Sequence, residues 1–260
     1  MKRLLICTGG YLPGKNYGGP VVSISNFVEL LGSEFEIFIV TKNHDLNTNE
    51  PYENIKSGWN QIGKARVLYL KDSEINTVNL NYIVNNINPD LIYQNSFFAS
   101  KFVLPLLRIA KKQNRKLLIA PRGEFFYNAL KQKAYKKYLY MLFVRLFLIR
   151  KNIFIHATIE EEVKLIRRVL CFPIKKIFRL ENIPTLPSKL YKKGLKKEGS
   201  LKLIYLARIH PTKNLIFALE CLKKIKGDVT LDIFGNIENL QYWEKCNCRI
   251  NAFRLPGSNK

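Results

Sequence analysis

The sequence predicts an α/β protein made of two doubly wound units, the second of them incomplete. Short apolar runs alternate with segments of helical apolar spacing, and a polar stretch at 184–200 separates two such series. This alternation is typical of a parallel sheet covered by helices. With 260 residues, 47% of them hydrophobic, the chain is also longer than one such unit needs. We therefore expect a first domain at 1–187, a linker at 188–200 and part of a second domain at 201–260.

Strands and helices alternate through the first unit. Continuous apolar runs predict buried strands, and apolar residues at three- and four-residue spacing predict helices. The predicted strands are 4–8, 35–41, 66–69, 90–93, 116–120, 153–158 and 177–180. The predicted helices are 20–31, 76–88, 97–113, 131–152 and 160–170. The polar, Asn-rich stretch before the third strand is predicted to be loop.

The second unit begins with the same rhythm and then loses it. A strand at 201–207, a helix at 214–225 and a strand at 229–234 are predicted. No strand or helix pattern is recognisable after Glu244. Since a domain of this class takes about 100 residues or more, we expect the second domain to stop partway, as a fragment or after a frameshift.

The net charge of +23, from 43 Lys and Arg against 20 Asp and Glu, indicates an anionic partner. Nucleic acid is disfavoured, because the chain has no zinc-finger spacing, no aromatic ribonucleoprotein signature and no helix-turn-helix pattern. Five cysteines without a secretory leader indicate a reducing compartment, so a cytoplasmic location is expected. Cys246 and Cys248 lack a second ligand pair, which makes a zinc site improbable.

The predicted helix at 131–152 is both basic and aromatic. Its apolar run, 138–149, is shorter than the ~20 residues that a membrane-spanning helix needs. The lysines around it are typical of a helix that lies on an anionic membrane surface. A core helix whose lysines reach out to solvent is the equal alternative.

A glycine-rich loop, Gly18-Gly19-Pro20, precedes the first predicted helix. Glycine lets backbone N–H groups approach a phosphate, and the helix N-terminus attracts anions. The spacing differs from G-x-G-x-x-G, which disfavours a dinucleotide-dependent oxidoreductase. A simple tight turn is the alternative.

Two cations flank the turn after the second unit's first strand. Arg208 and Lys213 are placed to converge on one diphosphate. The string 205–215, YLARIHPTKNL, resembles the "G-R-L-x-x-x-K-G" turn of the large retaining GT-B glycosyltransferase family (family 4-like) that builds lipopolysaccharide, O-antigen and capsule. The strings YGGP at 17–20, APRGE at 120–124 and ATIEEE at 157–162 are similar to further motifs of that family in the same order.

This resemblance implies a GT-B fold of two Rossmann-like domains, the first facing the acceptor and the second binding a nucleotide sugar. It implies that Gly18, Gly19, Arg208 and Lys213 hold the donor diphosphate. Arg122 would lie in the cleft near donor or acceptor. The chain departs from the family at Asn182-Ile183, where Asn-Gly is usual, at Ala207, where glycine is common, and in lacking a downstream pair of glutamates.

The function expected from this resemblance is transfer of a hexose, with retention, from a nucleoside diphosphate sugar to a lipid-linked or glycan acceptor. Electrostatic stabilisation of the leaving diphosphate would need no metal or other cofactor. Arg122 and Glu124 are the catalytic candidates, although Glu124 could be only a helix-start acid. His156 could be a general base but is more simply a hydrogen-bonded core residue.

Two further expectations follow. The enzyme would lie in the cytoplasm or on the inner face of the plasma membrane, held by its basic helix. The alternative function is an inactive remnant or anion-binding module that retains the first domain. A nucleic-acid binder ranks last.

Overall fold

The computed structural model describes residues 1–148, 152–185, 197–225 and 227–253. The chain divides into two compact units, Met1–Pro187 and Ser188–Lys260. Most of the predicted linker at 188–200 lies outside the described residues, and its bounds remain a prediction.

The first unit contains an eight-stranded sheet in the order β3-β4-β2-β1-β5-β6-β7-β8. Its strands are β1 (Lys2–Cys7), β2 (Phe35–Lys42), β3 (Trp59–Ile62), β4 (Ala65–Leu70), β5 (Leu91–Asn95), β6 (Leu117–Ala120), β7 (Ile153–Ala157) and β8 (Ile177–Arg179). All neighbouring strands are parallel except β3 and β4. The predicted parallel sheet is therefore present.

The edge strand β3 falls in the stretch predicted to be loop, so that prediction is wrong. Its residues alternate between exposed and half-buried, because an edge strand of this kind buries little of either face. The Trp59 ring packs edge-on against Phe38, with centroids 5.4 Å apart. This contact and antiparallel pairing with β4 define the strand, and neither leaves an apolar run in the sequence.

The helices of the first unit are α1 (Gly19–Leu31), α2 (Thr77–Ile87), α3 (Ser100–Gln113), α4 (Tyr127–Lys131), α5 (Ala134–Leu148) and α6 (Glu160–Leu170). The helix predicted at 131–152 is present as α5 but starts three residues later, because a break at Gln132 and Lys133 separates it from the short helix α4. Lys133 has φ 54°, a left-handed conformation that interrupts a right-handed helix. Residues 149–151 of the predicted helix lie outside the described part.

Helices cover the two faces of the first sheet unequally. On one face, α1 buries Val21, Ile24 and Val28 against the strands at the centre of the sheet. The other face packs against the larger core, to which α2, α3, α5 and α6 contribute. On the α1 face, several side chains of β5 to β8 remain half-buried or exposed; they are those of Leu91, Tyr93, Leu118, Phe154 and Phe178.

The described residues of the second unit form two parallel strands, β9 (Ser200–Leu206) and β10 (Asp228–Phe234), and two α-helices, α7 (Leu215–Leu222) and α8 (Leu240–Phe253). Its small core joins α7 and α8; the buried residues are Ile209, Leu215, Leu219, Tyr242 and Cys246. The prediction that regular structure ends after Glu244 is wrong, because α8 continues to Phe253. The unit is a partial Rossmann-like domain.

A glycine permits the close approach of the two strand ends in this unit. Gly235 follows β10, and a Cβ atom there would lie 1.8 Å from the carbonyl oxygen of Ala207. Beyond the strands, Ile209 N–H donates to the carbonyl of Asn236 at 2.8 Å. The loop that contains Arg208 is thus held against the end of β10.

Candidate functional site

The first sheet changes direction between β1 and β5, and a crevice lies at the carboxyl ends of these strands. β1 is followed by β2 on one side, whereas its other neighbour, β5, comes later in the chain. Ligands of open α/β sheets bind at such points. The crevice, called here the switch-point crevice, has a volume of about 410 Å³. Its polar and glycine lining consists of Thr8, Gly9, Gly10, Lys42, Asn95, Ser96, Ser100, Lys101 and Glu124.

Glu124 connects the loop after β6 to the loop after β5. The Ser96 hydroxyl donates to its Oε1 at 2.5 Å, and the backbone N–H groups of Phe97 and Phe98 donate to its Oε2 at 2.6 and 3.2 Å. Burial raises the pKa of Glu124 above its usual value and outweighs these hydrogen bonds, which lower it. The predicted start of α3 at 97 is wrong: the helix begins at Ser100, because Ala99 before it has a non-helical ψ of 67°.

Arg122 is held at the same edge of the sheet in a left-handed conformation, with φ 53°. Its Nε donates to Asn95 Oδ1 at 2.9 Å, and its Nη2 donates to the Tyr93 hydroxyl at 2.8 Å. Its Nη1 donates to the side-chain oxygen of Asn182. All three acceptors are neutral, and no described carboxylate forms an ion pair with this guanidinium.

A second carboxylate, Glu162, holds the backbone next to Arg122. Glu162 is fully buried. It accepts hydrogen bonds from Gly123 N–H at 2.6 Å, from Thr158 N–H at 2.7 Å and from the Thr158 hydroxyl at 2.9 Å. It therefore joins the loops after β6 and β7. Glu162 was part of a quoted motif but had no predicted role. Its contact with Gly123, 39 residues away in the chain, leaves no signal in the sequence.

His156 is a hydrogen-bonded core residue. Since the carbonyl of Leu180 can only accept, His156 Nε2–H donates to it at 2.8 Å. Nδ1 then accepts from the Tyr93 hydroxyl at 2.9 Å. Burial lowers the pKa of His156, which keeps the ring neutral. With both ring nitrogens engaged, the geometry favours the structural interpretation over a general base.

The glycine loop leaves the N-terminus of α1 open. Gly18 caps α1 with φ 68°, a conformation that glycine adopts without strain. A Cβ atom added at Gly18 or Gly19 would meet no atom within 4 Å. A ligand could therefore approach this backbone closely.

Positive charge gathers at the side of the switch-point crevice. Lys42 and Lys101 each contact Asp72 at 3.0 Å, and His44 lies 3.5 Å from it. Burial opposes ionisation of Asp72, but hydrogen bonds and charge from the two lysines lower its pKa to about 2. One carboxylate thus faces two lysines, and the cluster retains a net positive charge that favours anionic ligands.

In the second unit, Arg208 follows β9 and Lys213 ends a short 3₁₀ turn, Pro211–Lys213. Arg208 Nη1 contacts Glu238 Oε1 at 2.6 Å, in an ion pair that is largely exposed. Lys213 is exposed, and no salt bridge to it is seen among the described residues. A diphosphate at this loop would compete with Glu238 for Arg208. The sequence alone does not predict this ion pair.

An apolar stripe is exposed along α5. Met141 and Val144 face the core, while the opposite side presents the stripe, at a spacing of three and four residues. The exposed apolar side chains are Tyr135, Tyr138, Leu139, Leu142, Phe143 and Leu146. In the part of the chain that the structure describes, no helix has both the length and the apolar character needed to span a bilayer.

No protein-family model matches the sequence, and no similar sequence was found among curated proteins. Solved structures do match. The apo form of the lipopolysaccharide outer core galactosyltransferase WaaB has a TM-score of 0.56 at 14% identity, over 97% of this chain and 65% of that one. A UDP-forming α,α-trehalose-phosphate synthase from Burkholderia vietnamiensis has a TM-score of 0.54 at 11% identity, over 97% and 69%.

A putative UDP-N-acetylglucosamine 2-epimerase from Listeria monocytogenes matches with a TM-score of 0.50 at 11% identity, over 96% of this chain and 66% of that one. At such identities the likeness concerns the fold. The predicted fold class is confirmed: the chain has a GT-B fold, with one Rossmann-like domain and an incomplete second, and it spans 65% of the WaaB chain.

Proposed function

We propose that this protein is a glycosyltransferase that moves a hexose from a nucleoside diphosphate sugar to a lipid-linked or glycan acceptor in surface-polysaccharide synthesis. The observation that supports this most is the switch-point crevice of a GT-B fold, lined by glycines, amides and cations. The similar structures support it too, because WaaB is named a galactosyltransferase and the second protein a UDP-forming synthase. The motifs around Arg122 and Arg208 favour transfer over the epimerase reaction that this fold also supports.

In this proposal Arg208 and Lys213 bind the donor diphosphate, together with the open backbone at Gly18 and Gly19. Cations and helix N-termini aimed at a leaving diphosphate stabilise the negative charge that develops on it. The reaction then needs no metal, and we propose that it retains the anomeric configuration. Residues 188–200 would act as the linker between the two domains.

The first domain would bind the acceptor in the switch-point crevice. Arg122 lies at the same edge of the sheet but outside the lining of that crevice. It is the better catalytic candidate, because its guanidinium faces only neutral partners. Glu124 is engaged by three donors from the neighbouring loop, which favours a positioning role over proton transfer. Its catalytic role remains a prediction. The Glu124→Gln variant distinguishes a positioning role from proton transfer.

We further propose that α5 attaches the protein to the inner face of the plasma membrane. Its apolar stripe is bordered by Lys131, Lys133 and Lys136, and an amphipathic helix with this charge binds anionic lipid surfaces. Lipid-linked acceptors lie at that surface. The cytoplasmic location follows from the same proposal.

Titration calorimetry with a panel of nucleotide sugars, UDP sugars first, tests the function. Saturable binding should weaken by about 10- to 150-fold in Arg208→Ala, the equivalent of the roughly 1.5–3 kcal/mol that a hydrogen bond to a charged group contributes. Lys202→Ala, an exposed lysine on β9, is the matched control and should bind as the parent does. Release of the nucleotide in the presence of acceptor would show transfer.

The second candidate is a module that binds anions without transferring sugar, such as an inactive remnant, and the net charge of +23 favours it. It predicts donor binding without nucleotide release at any acceptor concentration. Absence of binding to every nucleotide sugar would contradict the transferase proposal. Affinity for arbitrary duplex DNA that falls steeply with salt would instead indicate a nucleic-acid binder.

A further inference from the structure

A second cavity, about 380 Å³ in volume, lies in the first unit between α1 and the segment 180–183. We call it the α1 cavity. It is separate from the switch-point crevice and runs along the incompletely covered face of the sheet. Its lining consists of Leu4, Ile6, Ser23, Ile24, Phe27, Leu31, Leu91, Tyr93, Leu118, Arg122, His156, Leu180, Glu181, Asn182 and Ile183.

Most of the cavity wall is aliphatic or aromatic. Strands β1, β5 and β6 contribute leucine and isoleucine side chains, and α1 contributes Ile24, Phe27 and Leu31. The volume is within the range of about 300–1,000 Å³ that is typical of small-molecule sites. An apolar cavity of this size favours an apolar occupant over water.

Polar contacts hold the outer wall in place. Ser23 donates to Asn182 Oδ1 at 3.2 Å, and Asn26 Nδ2 donates to the carbonyl of Ile183 at 3.0 Å. His156 Nε2–H holds the carbonyl of Leu180. The segment 180–183 is therefore fixed to both α1 and the sheet, so the cavity has a defined width.

Arg122 is the one cation in the lining of this cavity, which also contains the exposed Glu181 and the polar side chains of Ser23, His156 and Asn182. Arg122 is half-buried, and its three described hydrogen bonds go to neutral oxygens, one of them on Asn182. No described carboxylate forms an ion pair with it. A guanidinium has five N–H donors, so some remain for a ligand. A partly desolvated cation next to an apolar wall matches a ligand with an anionic head and an apolar chain.

We propose that the α1 cavity binds the apolar chain of an amphiphile whose anionic head group pairs with Arg122. The chain would lie against Leu118 and Phe27, between the sheet and α1. The site shares Arg122 with the proposed transferase site, but its test is binding alone and does not require transferase activity.

The test is calorimetric binding of n-alkyl phosphates, from butyl to dodecyl, to the full chain below their micellar concentrations. Each methylene that enters the cavity should raise the affinity about fourfold. The increase should stop once the cavity is full, whereas adsorption to a surface would continue to strengthen with chain length. The n-alcohol of equal length should bind at least tenfold more weakly than the phosphate, and Arg122→Gln should remove this preference.

Two variants change the cavity in opposite directions. Leu118→Trp fills it and should move the plateau to shorter chains, while Phe27→Ala enlarges it and should move the plateau to longer ones. A misfolded variant cannot move the plateau to longer chains, so a shift in Phe27→Ala shows that the effect of Leu118→Trp is not caused by misfolding. Leu142→Ser, on the exposed stripe of α5, is the control for adsorption elsewhere and should leave the series unchanged.

If Leu118→Trp shortens the alkyl plateau and also abolishes binding to vesicles, a membrane lipid is supported as the source of the chain. Unchanged vesicle binding with a shortened alkyl plateau would support a free amphiphile. No binding of any alkyl phosphate, or a series that responds to Leu142→Ser and not to Leu118→Trp, would overturn the proposal. A dimer that dissociates in Leu118→Trp, with no alkyl phosphate bound, would assign this face to a second copy of the chain and also overturn it.

Discussion

Replacement of Glu124 by alanine should destabilise the first domain. The substitution removes the only described acceptor of the Phe97 and Phe98 N–H groups outside their own loop. A buried donor left without a partner costs about 1–3 kcal/mol. Because these hydrogen bonds are partly buried, we expect the lower half of that range for each, and roughly 2–4 kcal/mol in total. The Ser96 hydroxyl can rotate to another acceptor and adds little.

Glu124→Gln is the matched variant. Its carbonyl oxygen can still accept from the two N–H groups, and its amide can donate to the Ser96 hydroxyl, so the expected loss is about 1 kcal/mol. Urea unfolding followed by far-ultraviolet circular dichroism measures both variants. If Glu124 only positions the loop, Glu124→Gln should keep most of the transferase activity. A general acid or base would instead lose about 10²- to 10⁴-fold in rate.

Two results would refute this reasoning. A loss below about 1 kcal/mol in Glu124→Ala would show that the two N–H groups find other partners or water. A Glu124→Gln variant of unchanged stability whose activity is abolished would show that the carboxylate acts in the chemistry, as the sequence analysis allowed.

Three other perturbations test separate parts of the structure. Burial lowers the pKa of His156 below its usual 6.5, so the unfolded chain binds more protons than the folded one. The contribution of His156 to the free energy of unfolding should be full above pH 6.5 and fall as the pH drops below it, by at most about 1.4 kcal/mol per pH unit. In urea unfolding, the His156→Gln variant should lack this dependence on pH. Leu142→Ser with Leu146→Ser should weaken flotation with phosphatidylglycerol vesicles at least about tenfold, whereas Val78→Ser, equally exposed on α2, should not; equal loss in both would contradict a specific α5 surface. Gly235→Ala, whose Cβ would lie 1.8 Å from a backbone oxygen, should destabilise the second unit by roughly 3 kcal/mol or more in urea unfolding; a loss below 1 kcal/mol would mean that the strand ends can separate.

The sequence was sufficient to predict the elements that bury continuous apolar surface. Strand β2 and helices α1 and α6 occur where their patterns predicted them, within one residue, because burial on a parallel sheet imposes those patterns directly. Strand β3 was missed because an exposed edge strand needs no apolar run. The break at Lys133 was missed because a left-handed lysine has no signature among its neighbours in the sequence.

The hydrogen bonds of the candidate site were less predictable than its location. A motif placed Arg122 at a strand end, which the structure bears out. Its acceptors, however, come from β5 and from Asn182, which is 60 residues away. Likewise, the Glu238 partner of Arg208 follows a different strand. Sequence spacing indicates which residues share a strand end, but contacts between strand ends depend on the order of strands in the sheet.

The two carboxylates near Arg122 explain how a residue in a left-handed conformation can be held in a fixed position. Glu162 holds the Gly123 N–H on one side, and Glu124 joins the next residue of the turn to the loop after β5. Left-handed backbone costs a non-glycine residue about 1–3 kcal/mol and persists only where its surroundings enforce it. Here the hydrogen bonds of two carboxyl groups connect three adjacent strand ends, β5, β6 and β7. The Arg122 guanidinium is therefore held in position before any ligand binds, which lowers the conformational entropy cost of binding.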